Sequence, residues 1–395
     1  MSMRICMITY SFYESDNRVK RYSEAFAKRG DHVDVIALQI GDRAHDEKLR
    51  KKKVIKGVNV YKLQRRLRDE KNKYSYLFRI VQFLFKASAF ATWKHIRQPY
   101  QLVHVHSIPD FAVFSALFPK LFGAKVILDI HDIVPELYVS KFDARENSLL
   151  FKVLLWVEKM STAFADHVII ANDIWKNKMA SRSVNESKCS VYMNYPDEDI
   201  FYPRERKRKD DQFIIMYPGS LSMHQGLTLA VKAFGLVHEQ LPKTEFHIYG
   251  SGADEGNIHQ AIESLGLQDK VKMFKSLSIE QIAEKIADAD LCLEPKTNSF
   301  FSDEAFSTKI LEFMAMGIPV LTSDNTVHTY YLTSDVVVFF KSGDVEDMAR
   351  HLLAVVKDEP LRKRLVRNGL VFIEQLKWKN HKQRYFDLVD NLLRK

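Results

Sequence analysis

Glu304-Ala-Phe-Ser-Thr-Lys309-Ile-Leu-Glu312-Phe-Met-Ala-Met-Gly317-Ile-Pro319-Val-Leu321 decides the reading of this chain. Two glutamates stand eight positions apart, small polar residues follow the first, and an apolar segment stops at Gly317-Ile-Pro319. Read physically, a loop carries Glu304 to the mouth of a helix, and the helix carries Glu312 about two turns further on. The start of that helix presents free backbone N–H groups, a natural seat for phosphate oxygens. Two carboxylates flanking such a seat suit a ligand with a diphosphate in its middle and hydroxyls at both ends, the shape of a nucleotide sugar. Acidic pairs at helical spacing also occur on ordinary amphipathic helices, so the surrounding sequence has to decide.

Outward from this stretch, strand-like and helix-like patterns alternate. Apolar strands are expected at 4–9, 33–38, 58–63, 102–106, 126–130, 168–171 and 191–194, with helices over 18–29, 74–96 and 149–165. The polar run Pro203-Arg-Glu-Arg-Lys-Arg-Lys-Asp-Asp211 interrupts the pattern and reads as a solvated hinge more readily than as a nuclear-localisation signal. The alternation restarts with strands at 213–217, 245–249 and 290–294 and a helix after Gly226. This predicts two α/β domains with parallel sheets: 1–200, a linker at 201–211, and 212–377, with an amphipathic helix in 378–395 crossing back onto the first domain. Two such halves predict a cleft, with ligands at the strands' carboxyl ends.

At 395 residues the chain can bury two cores, and 46% apolar with 28% charged residues is the balance of a soluble globular protein. The opening residues read as a first strand and not as a signal peptide, and no apolar run reaches spanning length. Cys6, Cys189 and Cys292 are odd in number and far apart, which fits reduced core thiols in a cytosolic protein. The positive charge is concentrated: residues 43–97 hold 17 basic against 4 acidic residues, while the whole chain is at +9. Within that stretch Tyr74–Ile96 interleaves aromatics with cations. Such a helix can rest on an anionic membrane, or pack its aromatics onto the sheet and leave its cations solvated. Nucleic acid is not expected, because no helix-turn-helix, zinc-finger or RNA-binding signature accompanies the patch. His104 and His106 alternate on one strand, but no neighbouring acid or cysteine in sequence completes a zinc set.

Taken together, these segments resemble the retaining glycosyltransferases of family 4 (glycosyl transferases group 1), over nearly the whole chain. The resemblance implies the GT-B fold of two facing Rossmann-like domains, the first binding acceptor and the second the donor. It implies that Glu312 holds the ribose hydroxyls and Glu304 the sugar hydroxyls. Main-chain N–H groups around Phe306, Ser307 and Thr308, with Lys309, then stabilise the departing nucleoside diphosphate. In Asp129-Ile-His131-Asp132, His131 corresponds to the histidine that touches the donor sugar, and Asp132 is expected to orient it. Asp16 or Asn17 caps a first helix, whose Arg18 reaches phosphate or acceptor, and His106 lines the cleft. Gly250 follows a strand near the base, and Lys275 falls where relatives hold the nucleobase.

One departure stands out in Gly219-Ser220-Leu-Ser-Met-His224-Gln225-Gly226. Ser220 and Gln225 occupy positions where most members carry Arg and Lys that clamp the diphosphate. Lys309 is the expected substitute, with His224 and Gln225 adding hydrogen bonds. The resemblance therefore implies a hexosyltransferase acting from a nucleoside diphosphate sugar, UDP mildly preferred, on a glycan or lipid-linked acceptor in polysaccharide or cell-envelope biosynthesis. No cofactor and no metal are expected, since protein cations and dipoles take that role. The location implied is cytoplasmic, with peripheral contact to the inner face of the membrane through 43–97. Alternatives are another GT-B enzyme, a nucleotide-sugar epimerase or phosphorylase, and a non-catalytic GT-B binding subunit that kept the fold after losing the usual cations.

Overall fold

Continuous apolar runs, not alternating ones, form the central strands, as parallel sheets covered on both faces require. Ile5, Cys6, Met7 and Ile8 are all fully buried on one strand. The structure, a computed structural model, describes residues 2–40, 52–66, 73–107, 109–142 and 148–394. It forms two α/β units: Met1–Asn194 with Lys382–Lys395, and Tyr195–His381.

The first unit begins β1 (Arg4–Phe12), α1 (Asn17–Arg29), β2 (His32–Ile40), β3 (Lys52–Ile55), β4 (Val58–Arg66) and α2 (Lys73–Arg97). It continues through β5 (Leu102–His106), a 3-10 run Asp110–Ala116, α3 (Leu117–Leu121), β6 (Lys125–Ile130), α4 (Val134–Phe142) and α5 (Leu149–Phe164). β7 (His167–Ile170), α6 (Asp173–Ala180) and β8 (Cys189–Val191) complete it. The sheet order is β3-β4-β2-β1-β5-β6-β7-β8, parallel except for β3, which pairs antiparallel with β4. From β1 the chain winds first toward β2 and β4, then in the opposite sense from β5 to β8. The switch point thus falls between β1 and β5, where ligands bind in open α/β sheets.

The second unit holds β9 (Phe213–Ser220), α7 (Leu227–Val237), β10 (Thr244–Ser251), α8 (Glu255–Ser264), β11 (Val271–Phe274) and α9 (Ile279–Ile286). Then come β12 (Leu291–Glu294), α10 (Thr308–Ala315), β13 (Val320–Ser323), α11 (Thr326–Tyr331) and β14 (Val338–Phe340). α12 (Val345–Lys357), α13 (Glu359–Gln375) and α14 (Trp378–Arg394) close the chain. Its six strands run β11-β10-β9-β12-β13-β14, which puts the switch point between β9 and β12.

The structure adds detail to the sequence reading. The boundary lies at Asn194/Tyr195, and the run read as a free hinge, 201–211, is bonded to the second unit. There Arg206 and Arg208 each donate to Asp290 (2.8 and 2.7 Å), and the Lys207 amide donates to Asp288. The basic segment contributes β3, while 43–51 and 67–72 of the 43–97 stretch lie outside the described residues. Residues 110–121 fold as a 3-10 run and a short helix that no clean periodicity announces.

The last helix carries Tyr385, fully buried, onto α1, where it stacks on Tyr22 at 4.3 Å. Phe386 meets Phe26 at 5.1 Å, and Arg29 pairs with Asp390. The aromatics of α2 divide between two stripes, one packed on the sheet and one exposed. Tyr76 and Phe83 pack on Tyr10 (6.3 and 5.2 Å) and Phe90 on Tyr61 (5.0 Å), whereas Phe78, Phe85 and Trp93 are exposed. Among the described residues no helix is long and apolar enough to cross a membrane.

Candidate active site

Each unit gathers polar side chains at the carboxyl edge of its sheet, beside its switch point. In the first unit the centre is Asp129, fully buried near the end of β6. Arg18, in the first turn of α1, grips it with two parallel bonds, Nε to Oδ2 at 2.8 Å and Nη2 to Oδ1 at 2.7 Å. The remaining guanidinium nitrogen donates to Tyr192 O (2.7 Å) and Asn194 Oδ1 (3.0 Å). His106 Nδ1 lies 3.1 Å and His131 Nε2 3.3 Å from Asp129 Oδ2. His104, stacked on His106 at 4.3 Å, hydrogen-bonds Tyr385 of α14 at 2.8 Å.

Burial alone would raise the Asp129 carboxyl. The Arg18 guanidinium, then His131 and the His106 contact, hold it well below the usual carboxylate range. Burial pushes both His104 and His106 down, so they stand neutral near pH 7. Among Arg18, Asp129 and the three histidines, His131 alone reaches solvent, its side chain 19% exposed against 0–3% for the others. The network therefore fixes one imidazole at the surface.

Two expectations are corrected here. Arg18 spends its donors inside the fold, on Asp129 and the 192–194 segment, and is a buried positioning residue rather than a phosphate contact. The carboxylate found against His131 is Asp129, where Asp132 was expected, because alternation along β6 puts residue 129 on the side of residue 131. Asp16 caps α1, accepting from the Val19 amide at 3.1 Å and from Ser11 at 2.6 Å. Burial works against its charge, but His131 and His106 help bring its carboxyl below the ordinary value. The zinc reading also needs amending, since Asp129 supplies the acid missing in sequence. One ligand atom each from His104, His106 and Asp129 lies within 4.8 Å of the others. Arg18 already occupies both oxygens of that carboxylate, so a metal ion would have to displace a guanidinium.

In the second unit the centre is Lys309, the second residue of α10. Its ammonium lies 3.2 Å from Glu294, fully buried at the end of β12. It also stands 3.4 Å from Gln225 Oε1 and 4.7 Å over the Tyr217 ring. Burial opposes the charge, yet Glu294 and Tyr217 more than offset it, and the Lys309 pKa is raised. Gln225 is a buried hub, accepting from Tyr217 OH at 3.1 Å and touching His224 at 3.1 Å. A cation from another element, Lys309, therefore stands beside Gln225.

α10 begins without a side-chain cap. Its N-cap residue Ser307 makes no capping bond, and the Ser307 hydroxyl is buried with no partner. A buried hydroxyl left unsatisfied at an uncapped helix start asks for a ligand. Glu304, in the turn before α10, and Glu312, its fifth residue, are both half-buried. Phe306 and Thr308 are half-buried, Ser220 and Lys275 exposed. The glycines answer to the fold itself. A Cβ on Gly250 would fall 1.9 Å from Gly219 O, and one on Gly226, at φ +69°, 2.0 Å from Pro295 O. Gly250 thus permits the close backbone approach of β9 to β10.

Two family models match in tandem: "Glycosyl transferase 4-like domain" over 15–194 and "Glycosyl transferases group 1" over 199–371. The chain belongs to the family-4 glycosyltransferases, group 1. It is similar to the phosphatidylinositol N-acetylglucosaminyltransferase gpi3 subunit of Schizosaccharomyces pombe, 25% identical over 67% of this chain. It spans 55% of that relative's length. Its fold is that of sucrose-phosphate synthase from Thermosynechococcus elongatus, with TM-score 0.80 at 18% identity over 99% of both chains. Anabaena HepE in complex with UDP-glucose superposes with TM-score 0.73 at 15% identity, over 98% of this chain and 100% of that one. The architecture is therefore GT-B, with two Rossmann-like units.

In this family-4 chain, sequence reasoning missed Asp129 and Glu294 as organisers, Lys296 as a tether, and His328 altogether. Lys296, 5% exposed, donates to Ala305 O and so tethers the loop bearing Glu304. His328, fully buried, is bonded to Thr322 Oγ1 and Ser323 O and meets Phe306 edge-on at 5.8 Å. Only Lys296 left a signal, as a lysine directly after a buried strand end.

Proposed function

We propose that the protein is a retaining glycosyltransferase that moves a sugar from a nucleoside diphosphate donor, UDP preferred, to a glycan or lipid-linked acceptor of the cell envelope. The observation that carries this reading is the uncapped start of α10, with Lys309 beside it and a carboxylate on each side in sequence. The N–H groups of 306–308 and the Lys309 ammonium bind the diphosphate and stabilise it as it leaves. Glu312 holds the ribose hydroxyls, Glu304 the sugar hydroxyls, and His131 touches the donor sugar. Glu294 positions Lys309. These glutamates bind hydroxyls and are not the acid and nucleophile of a hydrolase. Lys309 and the helix start do for the phosphates what a divalent ion does elsewhere, so the reaction needs no metal.

The names of relatives fit this reading: the gpi3 subunit is named for N-acetylglucosaminyl transfer to phosphatidylinositol, and HepE was solved with UDP-glucose. Work on the cytoplasmic side, with peripheral membrane contact through 43–97, belongs to the same proposal. The absence of cations at Ser220 and Gln225 favours one second reading, a binding subunit without turnover. Thermal shifts with UDP, GDP, ADP and their sugar conjugates test both. A nucleotide at about 100 times its Kd adds roughly 2.7 kcal/mol of stability. Stabilisation by one nucleotide family, lost in Glu312→Ala, is expected. No shift with any donor would remove the proposal and leave the binding subunit.

A further inference from the structure

The crossovers that build the first unit sort its helices. α1 leads from β1 toward β2, while α2, α3 and α5 lead the opposite way along the sheet, to β5, β6 and β7. Right-handed connections then place α2, α3 and α5 together on one face and α1 on the other. Side-chain contacts make that layer continuous. Phe122, just past α3, meets His95 of α2 at 6.4 Å; Phe114 meets Phe164 of α5 at 5.2 Å; Lys120 donates to Phe164 O at 2.7 Å.

The outside of this layer is apolar. Leu121 and Phe122 leave 70% and 65% of their surface exposed, and Leu117 and Phe118 are exposed beside them. On α5 the exposed residues Leu149, Val153, Trp156 and Met160 recur at helical spacing, with exposed Lys152 and Lys159 on the flanks. α2 adds its outer stripe of Phe78, Phe85 and Trp93. Monomeric proteins rarely leave so broad an apolar face uncovered unless something docks there.

Charge names the occupant. Across α2, the 3-10 run, α3 and α5 the only acids are Asp110 and Glu158, and both are buried. Exposed cations stand at Arg97, Lys152 and Lys159, while Lys120 is paired with Asp166 at 2.7 Å. A second copy laid face to face would set like charges against each other. An anionic bilayer satisfies both features: rings and leucines enter the acyl boundary, and lysine stems reach the phosphates. We propose that the α3–α5 surface, residues 114–122 and 149–160, is a docking face for anionic lipid that continues the outer stripe of α2. This inference rests on the reading of membrane contact through 43–97 and extends the contact to two elements outside that stretch.

The test is co-sedimentation of the full chain with vesicles of phosphatidylcholine alone or mixed with phosphatidylglycerol. Binding is expected only with phosphatidylglycerol and should weaken with added salt. Phe118→Ser/Leu121→Ser on α3 and Val153→Ser/Trp156→Ser on α5 should each lower vesicle affinity at least about tenfold. These side chains are exposed, so unchanged melting is expected. Bilayer-brominated lipid gives a readout on an otherwise native chain: it should quench a tryptophan signal that Trp156→Phe removes. Binding that survives both double substitutions, with no quenching of Trp156, would overturn the inference while leaving contact through α2 intact. No phosphatidylglycerol-dependent binding would overturn both readings. Self-association abolished by the same variants, without vesicle binding, would assign the face to a second copy.

Discussion

The two polar centres differ in what they leave open. Around Asp129 both carboxylate oxygens are engaged, by Arg18 on each and by two imidazoles on one, while His104 Nε2 and His106 Nε2 are buried without a hydrogen-bond partner. Around Lys309 the pairing is loose: Glu294 approaches at 3.2 Å, yet neither of its oxygens receives a well-aligned hydrogen bond, and Ser307 Oγ has no partner. The first centre keeps a geometry, and the second is the one proposed to accept an anion. A buried ion pair held by two parallel bonds resists change, whereas a cation beside an uncapped helix can exchange its partner for a phosphate at small cost.

The largest effect should come from opening the closed centre. Arg18→Met leaves Asp129 buried and unpaired and should destabilise the protein by about 3–5 kcal/mol in urea unfolding. Arg18→Met/Asp129→Asn should recover much of that loss, because the uncompensated charge is gone. If Arg18→Met melts like the parent, Asp129 is not held ionised by the guanidinium and the contrast between the centres collapses.

pH separates the centres next. His328, beside the second centre, is pushed from 6.5 to about 4, chiefly by burial and then by the Lys296 charge. The unfolded chain takes up that proton first as pH falls. Its contribution to stability is therefore whole above about 6.5 and is lost toward pH 4, at most about 3 kcal/mol. His104 and His106 act in the same sense. Asp110 in the first unit acts oppositely: burial, then Glu158, raises it from 3.8 to about 7, so its share falls as pH climbs through that window. Stability measured from pH 4 to 7 should slope less steeply in His328→Asn and more steeply in Asp110→Asn. Slopes unchanged in both variants would mean that neither group is buried as described.

Legibility followed the range of the interaction. Buried strands announced themselves as unbroken apolar runs, and β5 was readable to its last residue. The helix carrying Lys309 and Glu312 was bounded by Gly317 and Pro319, signals that act locally. Asp129 and Asp132 could not be told apart because both lie within two residues of His131, and only the pleat decides which points inward. The Arg18–Asp129 pair spans 111 residues, and the Lys309–Glu294 pair joins a helix to a neighbouring strand. No local periodicity records such meetings. β3 was hidden because an antiparallel edge strand tolerates the lysines that make it read as loop.

At the open centre, Lys309→Met with Glu294→Gln keeps the burial balanced while removing the cation. It should weaken UDP by about 10- to 100-fold, the range of one charge-assisted contact, and uridine hardly at all. Isothermal titration with both ligands decides this. Equal losses would take Lys309 away from the phosphates and make it a structural partner of Glu294.

The smallest expected change is the sharpest test of how the chain tolerates Gln225. The Lys309 ammonium stands 3.4 Å from Gln225 Oε1 and would lie 3.4 Å from a Cβ on Gly219. A lysine at position 225 would thus end where that charge already is. Gln225→Lys alone sets two ammonium groups against one glutamate and should gain no UDP affinity, with a stability loss of about 1 kcal/mol. Gln225→Lys/Lys309→Met returns the single cation to the chain position where most family members hold it. Its Kd for UDP should come within about threefold of the parent, under 1 kcal/mol. A tenfold tighter Kd in Gln225→Lys alone would contradict this, since the seat would then hold two cations and Lys309 would be an addition to the missing clamp, not its replacement.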